Sequence, residues 1–580
     1  MTQILPPHDA CYEKFNGVAR ACLDALATQA GAATHWQVFD DLMTAFDGLP
    51  EADALAATAQ FMEQPGMQIV TRALARRSTE RFPQSAQGWY LYGRSMLLIS
   101  SDSIEARPAL ERAWELDPNT DALLPLCLAA AFIACKRYVD AELACREMLA
   151  RDPNSADAYS NLAVALRMQY RTDEAVTAGE AALRIDPNHA HAPVNLALAM
   201  VDDERFADAL SLLRELISHH PDDDRIRLPL GELELRHGIW ESGWANMHAR
   251  FSLPGLREQL QAREQNCGVP HWRGESLEGR TLGIWLEQGY GDAILLVRFL
   301  PLIAERVRAL GGKLVFGCFG PLVELFKPLI PSDVELNVDF LRQTDFHMPL
   351  MSSCSPFKFG NDTLRGSAYL HVEGGQVVRW RKRLGVGDGR LHVALAWTGN
   401  PQQSRNDVRS LPQPQLEALL AKGNGPRDIV FHSVNPAAGE VVASLRDKGF
   451  NVVDWGSELN DFMTTAALLK AVDAVATTCT SVAHLAGAVG APTLLMLDRI
   501  GSFIWGTEES RTPWYDSIRI VRQARFGDWS DVAARVRQEL SAMKGVDELG
   551  PTTAVTAPTA KSHKPSKGTK AGRKAGKSVK

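Results

Sequence analysis

Three short stretches of this chain set chemically useful side chains beside the glycines and apolar runs that would position them. The first, EQGYGDAILLVRF at 287–299, has Gly289 and Gly291 just after an apolar run, so the backbone can turn tightly and carry Asp292 to the start of a helix. A carboxylate there can take a proton from a hydroxyl, or can simply cap the helix and complement its dipole. The second, HVALAWTGNPQQSRNDVRSLP at 392–412, runs from an apolar strand into Gly399 and Asn400 and then to Arg405 and Arg409. A guanidinium pairs its planar donors with two oxygens at once, which suits a diphosphate; solvated loop arginines are the plain alternative. The third, VDAVATTCTSVAHLAGAVGAP at 472–492, sets Cys479, Thr480 and Ser481 between a buried strand and a helix that bears His484. Hydroxyls at such a junction cap the helix, and its first amides attract an anion. Cys479 has no acidic partner near it in sequence to make it a nucleophile, and His484 lies on a helix otherwise made of Ala, Leu and Val, where a core histidine is the plain reading.

Those stretches need parallel strands behind them. Apolar runs at 282–286, 313–318, 392–397, 429–433, 452–455, 474–477 and 493–497 alternate with helical patterns near 292–310 and 321–329, and Asp461 can cap a helix leading into the third stretch. The alternation predicts parallel sheets covered by helices, and the glycine-bearing strand-to-loop entries near 287–292 and 397–400 predict two Rossmann-like halves with a cleft between them and a hinge near 375–391. GxGD lacks the third glycine of a dinucleotide fingerprint.

The N-terminal half follows another period. Pro83, Pro118, Pro153, Pro187 and Pro221 are separated by 35, 35, 34 and 34 residues. Ala106, Ala141, Ala175 and Ala209 each lie twelve residues before the next proline, and Leu128, Leu162 and Leu196 lie twenty-five before it. Small residues let two helices approach and proline closes the second, so each unit reads as a helix–turn–helix. The units resemble tetratricopeptide repeats over about 85–250, with GELELRHGIWESGWANMHARF as a degenerate last unit, and imply a solenoid whose concave face takes a peptide or protein segment. A rigid spacer is the alternative.

Composition bounds the rest. The 580 residues exceed one core, and 45% apolar with 23% charged residues describes an ordinary soluble protein. The net charge of −7 hides a split: residues 551–580 hold seven Lys, one Arg and no acid. That tail reads as disordered; it can touch nucleic acid or anionic lipid peripherally, or merely aid solubility, and no specific nucleic-acid partner is expected. Nine scattered cysteines suit free thiols, and with neither a signal segment nor an apolar run long enough to span a bilayer, the cytoplasm is the expected location. The fold class expected is therefore α plus α/β: a helical extension at 1–83, the repeat solenoid at 84–250, a linker at 251–280, two Rossmann-like lobes at 281–380 and 381–540, and the basic tail at 541–580.

Taken in order, P-x-W-x-G at 270–274, EQGxGD at 287–292, AWTGNP at 396–401, RSLP at 409–412, DFxxTAALLxxVDxV at 461–475 and TSVAHLAGAxGxP at 480–492 resemble one family over about 85–535, and WYDSIRIVRQ and GDW near 514–529 also fit. It is the bacterial glycosyltransferase group that fuses tetratricopeptide repeats to a two-lobed domain similar to the ADP-heptose:lipopolysaccharide heptosyltransferases of glycosyltransferase family 9. The resemblance implies a GT-B fold, an inverting transfer from a nucleotide-sugar donor to an acceptor hydroxyl on a protein or glycan held by the solenoid groove, and no metal or other cofactor. It implies Asp292 as the catalytic base. Gly289, Gly291, Asn400, Arg409, Cys479, Thr480, Ser481 and His484 would be substrate-binding residues, with Arg409 on the diphosphate. Relatives usually carry an aspartate where Cys479 stands, and a thiol cannot accept sugar or ribose hydroxyls as a carboxylate does. The competing class is a non-catalytic repeat scaffold with a degenerate lobe pair; a nucleotide-sugar epimerase is a third.

Overall fold

The computed structural model describes residues 15, 17–20, 32–100, 103–253, 255–287, 289–337, 344–403, 405–422, 428–436 and 438–543. The basic tail expected at 541–580 lies, beyond 543, outside the described residues. Within 1–83, helices Ala32–Asp47, Glu51–Met62 and Gln68–Arg81 pack around Leu42, Phe46, Phe61 and Leu74.

Five helix pairs follow, from Ala86–Ile99 with Ala106–Leu116 to Asp224–Arg236 with Trp240–Asn246. The repeated DPN has a local cause. Helices end at Leu116, Arg151 and Ile185, and the next residue's carboxylate, in Asp117, Asp152 and Asp186, accepts the amide two residues on, closing a turn over each proline. Ala106, Ala141, Ala175 and Ala209 are fully buried, so the paired helices touch where the side chains are smallest. The turn inside each of the last four pairs passes through left-handed backbone at one position, Lys136, Tyr170, Glu204 and Gly238, spaced like the repeats themselves.

The stretch expected to be a linker holds a helix, Leu256–Cys267, and a bridge pairing His271 with His347. Gly255 and Gly268 stand at the two ends of that helix with positive φ, which is why the composition reads as a break.

Two parallel sheets complete the chain. The first is ordered β3-β2-β1-β4, from β1 (Thr281–Trp285), β2 (Lys313–Gly317), β3 (Glu335–Asn337) and β4 (Phe346–Pro349). The second is ordered β10-β9-β8-β5-β6-β7, from β5 (Leu391–Ala396), β6 (Ile429–Ser433), β7 (Val452–Asp454), β8 (Ala474–Thr478), β9 (Thr493–Leu497) and β10 (Ile518–Arg522). Chain order reverses direction between β1 and β4 and again between β5 and β8. At such a switch point the loops leaving two neighbouring strands part in opposite directions and open a crevice beyond the strand ends. The long helix expected after β1 is broken by a 3-10 turn, Val297–Phe299, because Pro301 has no amide to continue the ladder.

The solenoid is docked on both sheets. Trp244 donates to the Phe359 carbonyl at 3.0 Å, Arg236 reaches the carbonyls of Ile500 and Gly501, Glu204 pairs with Arg499, and Tyr170 packs on Phe526 with ring centroids 4.6 Å apart. One hydrophobic core runs from Leu235, Trp244 and Met247 of the last repeat through both sheets. No helix among the described residues is long and apolar enough to cross a membrane.

Candidate active site

Both crevices are occupied by the residues that the sequence singled out. Beyond β1 the chain passes through Leu286 and Glu287 to Gly289, which caps the helix Tyr290–Leu296, and Asp292 lies in that helix's first turn. The Asp292 carboxylate accepts the amides of Gly289 and of Asp292 itself, and it shares a small cavity with Glu287, Leu350 and Met351 at the β1/β4 crevice. Burial pushes its pKa from the ordinary 3.8 up to about 6, against the opposing pull of those amides and of the Arg250 and Arg409 charges. A carboxylate so raised is half-ionised close to neutral pH, where a general base works best.

Across the cleft, Thr480 caps the helix Ser481–Val489 by accepting the Val482 amide at 3.3 Å. The first amides of a helix have no partner within it, so Ser481 stands at a positive end suited to an anion. Arg409 comes from the loop after β5, at the end of Asn406–Arg409, and donates to the Cys479 carbonyl at 3.0 Å. A Cβ on Gly399 would stand 2.5 Å from the Arg409 Nη2, so only glycine lets the guanidinium lie there. Asn406 holds the Gly399 amide at 3.1 Å, and Asn435 holds the Trp397 amide at 3.0 Å and the Thr398 carbonyl at 2.7 Å. These two asparagines were not singled out by sequence; the strand-end position of Asn435 was the available signal.

The two lobes meet at Gly291. A Cβ there would stand 3.0 Å from the His484 Cδ2 and 3.7 Å from the Ser481 Cα, so the helix that carries Asp292 abuts the helix that starts at Ser481. His484 is buried, shares a 3.0 Å hydrogen bond with the Tyr515 hydroxyl and stacks on Trp505 at 5.1 Å. Burial, with the Arg298 and Arg409 charges, lowers it to about 3, so it is neutral at physiological pH. Its ring serves the packing between lobes. Cys479 accepts the Trp505 indole N–H at 3.1 Å, and burial pushes its thiol up to about 11, which keeps it uncharged. Asn400 is exposed and closes a local turn by accepting the Gln402 amide; Arg405 pairs with buried Asp498 at 3.3 Å. The structure thus gathers Gly289, Gly291, Asp292, Arg409, Cys479, Thr480, Ser481 and His484 around one junction, with Asn400 turned to its own loop.

The solenoid borders the same region. Asp202 and Glu232, both with pKa raised by burial, lie in the field of Arg405, and Tyr138 and Tyr170 in that of Asp407. Among the described residues no group of three His, Cys, Asp or Glu side chains is arranged to hold a metal ion.

Tetratricopeptide-repeat family models match residues 144–177 and 166–231. Residues 144–231 therefore belong to tetratricopeptide repeats. Protein FlbA of Caulobacter vibrioides is 26% identical over 453 residues, spanning 67% of this chain and 73% of that protein. Among solved structures, the tetratricopeptide-repeat protein YrrB, described as having an unusual peptide-binding site, is 18% identical, covers 30% of this chain and 90% of its own, and has a TM-score of 0.27. A glycosyl transferase family 9 structure from Veillonella parvula is 12% identical, covers 43% of this chain and 87% of its own, and has a TM-score of 0.32.

Proposed function

We propose that this chain is a GT-B glycosyltransferase that moves a sugar from a nucleotide-sugar donor to a hydroxyl on a protein or glycan acceptor presented by the tetratricopeptide-repeat array. The observation that carries the reading is the junction at Gly291, where a carboxylate from one sheet's switch point faces a helix N-terminus and a guanidinium from the other's. In this reading the diphosphate lies against the Ser481 helix and Arg409, whose donors strengthen their hold as the leaving oxygen gains charge. Asp292 takes the proton from the acceptor hydroxyl as that oxygen attacks the anomeric carbon from the opposite side, so the configuration inverts. The proton ends on the carboxylate and the bonding pair leaves with the nucleoside diphosphate. Gly289, with open space where a Cβ would stand, lets the backbone approach the sugar, Gly291 lets the two lobes close beside it, and no metal is assigned a part.

A non-catalytic scaffold is the second reading, and Cys479 favours it. Its neutral thiol stands where relatives carry an acid and is occupied by Trp505. Incubation with a panel of UDP-, GDP- and ADP-sugars separates the two. Release of nucleoside diphosphate that is lost in Asp292→Asn and in Thr480→Val supports transfer. Absence of binding to every donor by a folded protein supports the scaffold, and a changed sugar on an intact nucleotide would mark an epimerase instead.

A further inference from the structure

The repeat array ends in a 3-10 turn, Met247–Ser252, and Arg250 leaves that turn to enter the loops above the first sheet. Its Nη2 donates to the Glu287 carboxylate at 2.6 Å and to the Ser352 hydroxyl at 2.8 Å, while Nη1 donates to the Met247 carbonyl at 2.8 Å. Both charged side chains are 2% exposed, and the Phe251 ring lies 4.3 Å from the guanidinium carbon. Taking two charges out of water offsets most of their mutual attraction, so a buried pair adds little stability that apolar packing would not supply. What this pair does supply is a fixed geometry. Glu287 belongs to the same loop as Asp292, and Ser352 belongs to the loop after β4, so one guanidinium ties together both walls of the β1/β4 crevice. Glu287 also takes a backbone hydrogen bond from Met351, and it lines the small cavity beside Asp292.

We propose that Arg250 is a positioning residue for Asp292: the last turn of the solenoid holds the loop of the candidate base in place through Glu287 and Ser352. The proposal rests on the glycosyl-transfer reading above, and it makes the repeat array part of the catalytic machinery as well as a dock. The charged groups that face Asp292 are Arg250 and Glu287 on its own side and Arg409 across the cleft, with His484 neutral. Loss of the Arg250 charge leaves Glu287 uncompensated beside Asp292, and both effects disfavour ionised Asp292.

The test uses the full chain with Arg250→Met, Ser352→Ala and the double variant Arg250→Met/Glu287→Gln. Hydrogen exchange followed by mass spectrometry reads the peptide over 286–293. Arg250→Met is expected to speed exchange there at least about tenfold and Ser352→Ala about threefold, with the second sheet unchanged, while the double variant returns towards the parent because no lone buried charge remains. Turnover of the donor-sugar panel against pH supplies the second reading. The acidic limb moves up in Arg250→Met and comes back in the double variant; a purely structural loss would lower the rate and leave the limb in place. Unchanged exchange in Arg250→Met, or a double variant no better than the single, overturns the anchor. An active parent with an unmoved limb overturns the positioning role alone, whereas a parent inactive on every donor sinks the transfer reading and the role built on it. Should Arg250→Met fail to fold, Ser352→Ala and the double variant decide the same points.

Discussion

Replacing Asp292 by Asn should make the protein more stable and inactive at once. The pKa of Asp292 is raised from 3.8 to about 6, chiefly by burial. Two pKa units correspond to about 3 kcal/mol, which is the upper limit of what ionised Asp292 costs the folded state above pH 6. Asp292 keeps partial access to water, and Asn replaces one accepting oxygen by an amide that cannot hold a backbone N–H, so a gain of about 1–3 kcal/mol is expected. The sign follows from the two states. Below about pH 4 the carboxyl is protonated whether folded or unfolded, and parent and variant should match. Between pH 4 and 6 the unfolded chain ionises while the folded one keeps its proton, so the parent loses ground; above 6 the difference is constant. Calorimetric melting of parent and variant at pH 4.5, 6 and 7.5 reads this difference directly. Donor turnover at pH 7.5 should fall by about a hundredfold or more, the usual contribution of a general base. A variant no more stable than the parent at pH 7.5, or one whose advantage persists unchanged at pH 4.5, would refute a carboxylate whose ionisation burial opposes.

Further outcomes follow from the same geometry. Donor turnover in the parent should rise through an apparent pKa near 6 as Asp292 ionises; a flat profile from pH 5 to 8 contradicts its role as base. Arg409→Lys loses the fork that spans the Cys479 carbonyl and an anion, and nucleoside-diphosphate affinity by calorimetry should drop about tenfold, the worth of one charge-assisted hydrogen bond. Gly399→Ala, whose methyl collides with the same guanidinium, should reproduce that loss. Because burial keeps the Cys479 thiol protonated, iodoacetamide at pH 8 should modify it about tenfold more slowly than a free cysteine, as read by peptide mass spectrometry. Labelling at the free-thiol rate would contradict that burial.

The sequence exposed the elements whose signal is local. Strands β6 and β9 are runs of five residues bounded as their apolar letters predict, and the repeat turns follow from the DPN triplets, because an aspartate that closes its own turn needs no distant partner. Strands β3, with three residues, and β4, which contains His347 and Pro349, carry too little apolar pattern to be seen. The order of strands is settled by crossovers, so the switch points that bring Asp292 opposite Ser481 had no local trace. Arg250 stands 37 residues before Glu287 in a degenerate repeat and reads as one more surface arginine until the fold buries it. His484 shows the reverse: its helix of Ala, Leu and Val already described an interior face, and Trp505 and Tyr515 complete the enclosure.

The most direct test is a crystal structure of the full chain soaked with the nucleoside diphosphate that binds best in calorimetry. The account predicts the diphosphate against the Ser481 helix start and the Arg409 guanidinium, with its terminal phosphate facing Asp292. A diphosphate bound elsewhere, or a cleft closed by Gly291 and His484 that admits none at saturating concentration, would contradict it.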